Sequence, residues 1–242
     1  AMTKWKDGLK GGLFIPQFHG REHLNVASWM RSLKNGEKHT RLAFDEGLWG
    51  FSIGNKHYQA AFDLEKEEDL KVQSESVASG LSLFESIHGY KAKFFVPPNG
   101  FLNNTLQKEL SINGIEYIGI SKIQKTPLGD GKYGKAFHWL GQKNRYGQSF
   151  LTRNAFFEPN QTGTDWVPSC LKDIESAFSW GKPAVISTHR TNFVGGINVS
   201  NRDNSLKLLE ALLKAVVTRW PNAEFINSVE LGDILTNSSQ RT

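Results

Sequence analysis

Residues 12–25 read GLFIPQFHGREHLN, and the fold turns on how this stretch is taken. Its apolar run Leu13-Phe14-Ile15, closed by Pro16, has the length and the flank of a short buried strand. Two histidines four positions apart follow, His19 and His23, separated by Gly20, Arg21 and Glu22. A helix then starts at once: Asn25 is a fitting cap, and Val26, Trp29, Met30 and Leu33 make an apolar face. Two imidazoles therefore stand where a strand hands over to a helix. In α/β proteins, chemistry gathers in loops at the carboxyl ends of strands. A His-x-x-x-His pair brings both rings to one side of a turn, where they can share one transition-metal ion if further ligands join. Two surface histidines beside a helix start are the plainer reading. The position after a buried strand favours the site.

Outward from this stretch, strand-like and helical patterns alternate. The spacing predicts a short helix over 41–46 and a long amphipathic helix over 64–88 that Gly89 ends. A strand over 92–96 leads through Pro97-Pro98-Asn99-Gly100 to a helix over 104–112, stopped by Gly114, and a strand over 115–120. Residues 122–147 are rich in Gly and Lys, with residues 137–140 as a short strand or hairpin arm. A strand over 149–157 leads to Glu158, and a helix over 168–180 to a strand over 182–188 that runs into His189. A helix over 206–220, a strand over 223–226 and a helix over 229–235 close the chain. Such alternation argues for a parallel sheet with helices outside it, open or closed into a barrel.

Composition narrows the function classes. A chain of 242 residues suits one domain with a core stable by itself. With 38% hydrophobic and 22% charged residues and no long low-complexity tract, it is globular. No apolar run approaches the roughly 20 residues of a membrane span, and residues 4–15 lack the shape of a signal peptide. The single cysteine, Cys170, excludes an internal disulfide framework and points to a reducing, cytoplasmic compartment. A net charge of +5 is scattered and interrupted by Glu65, Glu67, Glu68 and Asp69, with no zinc-finger spacing, which argues against a nucleic-acid partner. Seven tryptophans and sixteen phenylalanines supply flat faces of the kind sugar rings stack on, although most belong to a core.

The order of the polar loops resembles the NodB-type polysaccharide deacetylases, the carbohydrate esterase family 4 superfamily, over nearly the whole chain. In that family an H-x-x-x-H motif gives two ligands to a divalent metal, usually zinc, and it matches His19 and His23 without a gap. An R-x-P-x-G motif lines the groove; here it reads Val96-Pro97-Pro98-Asn99-Gly100, without the arginine and the usual aromatic. A D-x-x-D-W motif is kept as Asp165-Trp166, with Thr162 at the first aspartate, and the family's tryptophan walls the acetyl pocket. An L-x-H motif becomes Ser187-Thr188-His189. The family also opens on a strand ending in two adjacent aspartates, and no Asp-Asp pair occurs in this sequence.

The resemblance implies an α/β fold: a distorted (β/α) barrel of the deacetylase type with about six strand–helix units, the first one missing. The chain then reads as one deacetylase-like domain over 1–242, incomplete at its N-terminus. It implies that His19 and His23 hold zinc, weakly without the aspartate, and that His189 is the catalytic acid. Pro98, Asn99, Gly100, Asp165 and Trp166 would bind an acetylated carbohydrate. His19, His23, Asn99, Glu158 and His189 are expected around one mouth. Asp45 is the third metal ligand by reach, whereas Glu22 points away. Glu158 is either a surrogate carboxylate or, the preferred reading, a buried partner of Arg153 or Arg190. Asn154 and Asn99 are placed to meet sugar hydroxyls; His57, His88 and His138 match no motif and read as surface or loop residues. The alternative is a catalytically impaired carbohydrate-binding relative. A two-carboxylate barrel glycosidase is a weaker third, since no carboxylate pair stands out. An open sheet edge at residues 13–15 would pair with a second copy as a homodimer.

Overall fold

A computed structural model of the chain describes residues 2–54 and 56–238. The fold is mixed α/β, with eight α-helices among the described residues and strands that pair in small separate sheets. Two compact units divide the chain, a larger one of residues 1–151 with 227–242 and a smaller one of residues 152–226. No described helix is long and apolar enough to cross a membrane.

In the larger unit, helix α1 (Met2–Lys10) precedes the opening stretch. Leu13, Phe14 and Ile15 do not form the expected strand; Leu13 is 81% exposed. Pro16 brings no N–H to a ladder, and Phe14 instead turns its ring onto Trp5, 4.8 Å between centroids. The ladder contact moves on to Phe18, whose N–H donates to the Phe94 carbonyl and whose carbonyl accepts from Val96 N–H, both at 3.1 Å. Phe18 is buried there because Gly80 leaves room: a Cβ at position 80 would lie 2.8 Å from the Phe18 ring and from Arg21 Cβ. The dimer expected from an edge at residues 13–15 thus loses its strand.

Helix α2 (Val26–Lys34) starts as read, the Asn25 side chain accepting from Ser28 N–H. Helix α3 (Lys38–Asp45) and a two-residue hairpin, β1 (Ser52–Ile53) with β2 (Lys56–His57), follow. Helix α4 (Asp69–His88) ends on left-handed Gly89. Strands β3 (Phe94–Phe95) and β4 (Tyr117–Ile120), with helix α5 (Leu106–Ile112) between them, pair in parallel, and β7 (Ser149–Thr152) completes their sheet. The Gly- and Lys-rich stretch, expected to hold a short strand or hairpin arm at 137–140, holds the longest hairpin among the described residues, β5 (Ile123–Gly129) with β6 (Lys132–Phe137), turned by Asp130 and Gly131 at positive φ. Asp-Gly is a strong signal for this turn. Phe62, Phe95, Leu110, Ile118 and Ile120 lie at the centre of the core, and helix α8 (Ser228–Ser238) joins this unit.

The smaller unit is two parallel strands and two helices. Strand β8 (Ala155–Phe156) pairs in parallel with β9 (Ile186–Ser187). The predicted strand over 149–157 breaks before β8, where Asn154 spends its side chain on the backbone, accepting from Val185 N–H and donating to the Pro183 carbonyl. Helix α6 (Trp166–Ser179) packs on α7 (Val199–Arg219) around Phe157, Cys170, Ile174 and Leu212. Residues 223–226 form no strand, and Phe225 and Ile226 are exposed.

Candidate functional site

His19 follows directly from Phe18, so the ladder contact with β3 delivers it. Its Nδ1 lies 2.7 Å from the Val96 carbonyl, and Nδ1 of His23 lies 2.6 Å from the Gln59 carbonyl. A carbonyl oxygen only accepts, so each Nδ1 carries a proton, and in the neutral form of either ring the lone pair then lies on Nε2. The rings stand edge to face, 5.1 Å between centroids. Backing of Nδ1 by a carbonyl is what metal-ligating histidines show in their outer shell. The donor chemistry therefore fits two ligands of a divalent ion. Among the described residues no cluster of three or more His, Cys, Asp or Glu is placed to hold one. Asp45, expected as the third ligand, ends α3 on the surface and belongs to no such cluster. Glu22 is turned elsewhere, gripped by Arg21 at 2.5 and 2.8 Å and by the Ser76 hydroxyl at 3.0 Å.

The Pro97–Gly100 segment lies against the same loop. Gly20 has a φ of 91°, and a Cβ there would come within 3.3 Å of Pro98 Cγ. Pro98 is buried, while Asn99 is exposed in the left-handed region (φ 53°, ψ 16°) and Gly100 follows at φ 75°. A left-handed Asn costs about 1 kcal/mol. The larger unit thus brings His19, His23, Pro98, Asn99 and Gly100 into one neighbourhood.

In the smaller unit the parallel pairing of β8 and β9 sets the geometry. Phe157 N–H donates to the Ser187 carbonyl at 2.9 Å, so Glu158 and His189 both emerge just past the carboxyl ends of neighbouring strands. Nδ1 of His189 lies 2.6 Å from Glu158 Oε1, and Oε2 of the same carboxylate accepts from Asn192 Nδ2 at 2.8 Å. Glu158 is 7% exposed and Asn192 fully buried, whereas the His189 side chain is 67% exposed. Asn192 also accepts from Asn160 N–H at 3.1 Å and donates to the His189 carbonyl at 2.8 Å, which ties the turn together. The expectation that Glu158 is bonded to an arginine is corrected: its bonded partners are His189 and Asn192. Arg153 acts on it only through its charge; burial holds the guanidinium's own pKa down against that attraction, and its Nη1 donates to Ser187 Oγ.

A buried carboxylate behind an exposed imidazole fixes the tautomer and aims Nε2 outward, the arrangement of a general acid or base. Trp166 is half-buried and donates from Nε1 to the Gln161 carbonyl at 2.9 Å. Asp165 is exposed just before α6, its backbone carbonyl accepting from Ser169 N–H and its side chain capping nothing. Asn154, expected to meet sugar hydroxyls, is committed to the backbone. His138 is not a plain surface residue either: it is stacked on Phe150, 4.0 Å between centroids, and burial holds its pKa below the ordinary value.

No family model and no curated protein matches the sequence. Among solved structures, the chain is similar to one described as a probable polysaccharide deacetylase from Pseudomonas aeruginosa PAO1. The identity is 13% and the TM-score 0.40, over 85% of this chain and 64% of that one.

Proposed function

We propose that the chain is a metal-dependent hydrolase that removes acetyl groups from a polysaccharide or oligosaccharide, on a distorted (β/α) barrel of the deacetylase type. The observation that carries the reading is the state of the three motif histidines. Each commits Nδ1 to an oxygen, a backbone carbonyl for His19 and His23 and a carboxylate for His189. The main chain orients His19 and His23, and a buried carboxylate orients His189.

His19 and His23 would hold the ion, zinc by the resemblance, which when bound supplies Lewis acidity toward an acetyl carbonyl. By the resemblance His189 would serve as the acid: with Nδ1 held on Glu158, Nε2 takes up a proton to give the imidazolium, which can then release that proton to a leaving nitrogen or oxygen. Glu158 keeps that ring in the tautomer with Nδ1 protonated, and Asn192 keeps Glu158 in place. Pro98, Asn99, Gly100, Asp165 and Trp166 are assigned to substrate binding by the resemblance. Two protein ligands make an incomplete set, so the chain should hold zinc weakly and turn over slowly.

A second reading, a carbohydrate-binding relative without turnover, is favoured by the missing third ligand among the described residues. Acetate release from acetylated oligosaccharides, measured with zinc and with a chelator, separates the two. Slow zinc-dependent release supports the hydrolase. Sugar binding with no release at any zinc concentration supports the binding relative.

A further inference from the structure

The larger unit contains a cleft of about 430 Å³ that none of these roles uses. Its walls come from the start of α2, the β1–β2 hairpin, residues 63–66 and the turn of the β5–β6 hairpin. The volume falls within the roughly 300–1,000 Å³ of small-molecule sites.

Asp63 is among the residues lining it and is only 6% exposed. Leu64 N–H donates to its Oδ1 at 3.0 Å and the Tyr133 hydroxyl to its Oδ2 at 2.9 Å. A carboxylate oxygen accepts two hydrogen bonds, so each still has one acceptor position to offer. Burial holds this carboxyl above the usual range, against the pull of Tyr133, His57 and Lys125. A carboxylate kept in such surroundings inside a cleft marks a candidate ligand site.

Charges of both signs line the cleft, Lys56 and Lys66 beside Asp63, Glu65 and Asp130. Lys66, paired loosely with Glu68 at 3.8 Å, offers donors, and Asp130 offers acceptors. An ion of either sign would meet repulsion as well as attraction. A neutral molecule with adjacent hydroxyls, each both donor and acceptor, uses the two sets together. Ile53 and Leu64 add an apolar wall for its C–H faces.

We propose that this cleft binds a neutral sugar unit of one or two rings, its hydroxyls donating to Asp63 and accepting from Lys66. The proposal needs no metal and none of the three motif histidines, so it stands apart from the hydrolase reading. Calorimetric titration with glucose, N-acetylglucosamine and the β-1,4-linked dimer of the latter tests it, each also with EDTA present. Saturable binding of at least one probe, unchanged by EDTA, is expected. Asp63→Asn should weaken it about ten- to a hundredfold, the loss of a hydrogen bond to a charged group. Ile53→Trp, on a half-buried wall position, should abolish it by filling the space. Lys66→Ala should weaken it severalfold, and because that side chain is half-exposed the variant keeps the test decisive if Asp63→Asn fails to fold. No saturable binding of any probe, binding that survives both Ile53→Trp and Lys66→Ala, or binding lost with EDTA overturns the proposal.

Discussion

In the larger unit His19 and His23 turn Nδ1 to the backbone carbonyls of Val96 and Gln59; in the smaller unit His189 turns Nδ1 to the carboxylate of Glu158. Both arrangements fix a tautomer, but they differ in what holds them. A carbonyl belongs to the main chain, so its hydrogen bond is independent of which side chain stands at 96 or 59. A carboxylate is a side chain, and one substitution removes it. Carbonyl backing puts the lone pair of the neutral ring on Nε2, which suits a metal. Carboxylate backing suits a ring that passes a proton.

Breaking either arrangement should therefore have unequal effects. The largest is expected from His19→Ala or His23→Ala, either of which should take zinc-dependent acetate release to background. His189→Ala should lower kcat about 10²- to 10⁴-fold, the range for a positioned general acid. Glu158→Gln keeps the shape but not the charge, and should lower kcat about ten- to a hundredfold with KM little changed. If the dyad were only structural, Glu158→Gln would instead lower the melting temperature and leave kcat alone. Asn25→Ala removes the cap of α2 and a buried bond to the Asp63 carbonyl at 2.8 Å. A loss of about 1 kcal/mol or somewhat more is expected in denaturant unfolding. The smallest effect sharpens the contrast most: Gln59→Ala keeps the carbonyl that holds His23, so zinc affinity should shift by no more than about twofold.

Much of the helical framework is legible in the sequence. Helices α2 and α4 announced themselves through apolar periodicity with a cap at Asn25 and a stop at Gly89, local signals that tertiary structure had no reason to override. The opening strand was misplaced because three apolar residues look buried whatever lies around them. The chain instead spends Phe14 on Trp5 and lets Phe18 reach β3. The β5–β6 hairpin was hidden by the Gly- and Lys-rich composition around it, although Asp130-Gly131 carried its signal. His19, His23 and His189 are singled out by spacing and resemblance. The bond between Glu158 and His189 is not, because the two lie 31 residues apart and only the parallel pairing of β8 with β9 brings them together.

A calorimetric zinc titration of the unaltered chain beside His23→Ala and His189→Ala tests the division of roles most directly. Weak binding that disappears in His23→Ala and is unchanged in His189→Ala is the predicted result. Tight one-to-one binding, or binding that depends on His189 and not on His23, would contradict it.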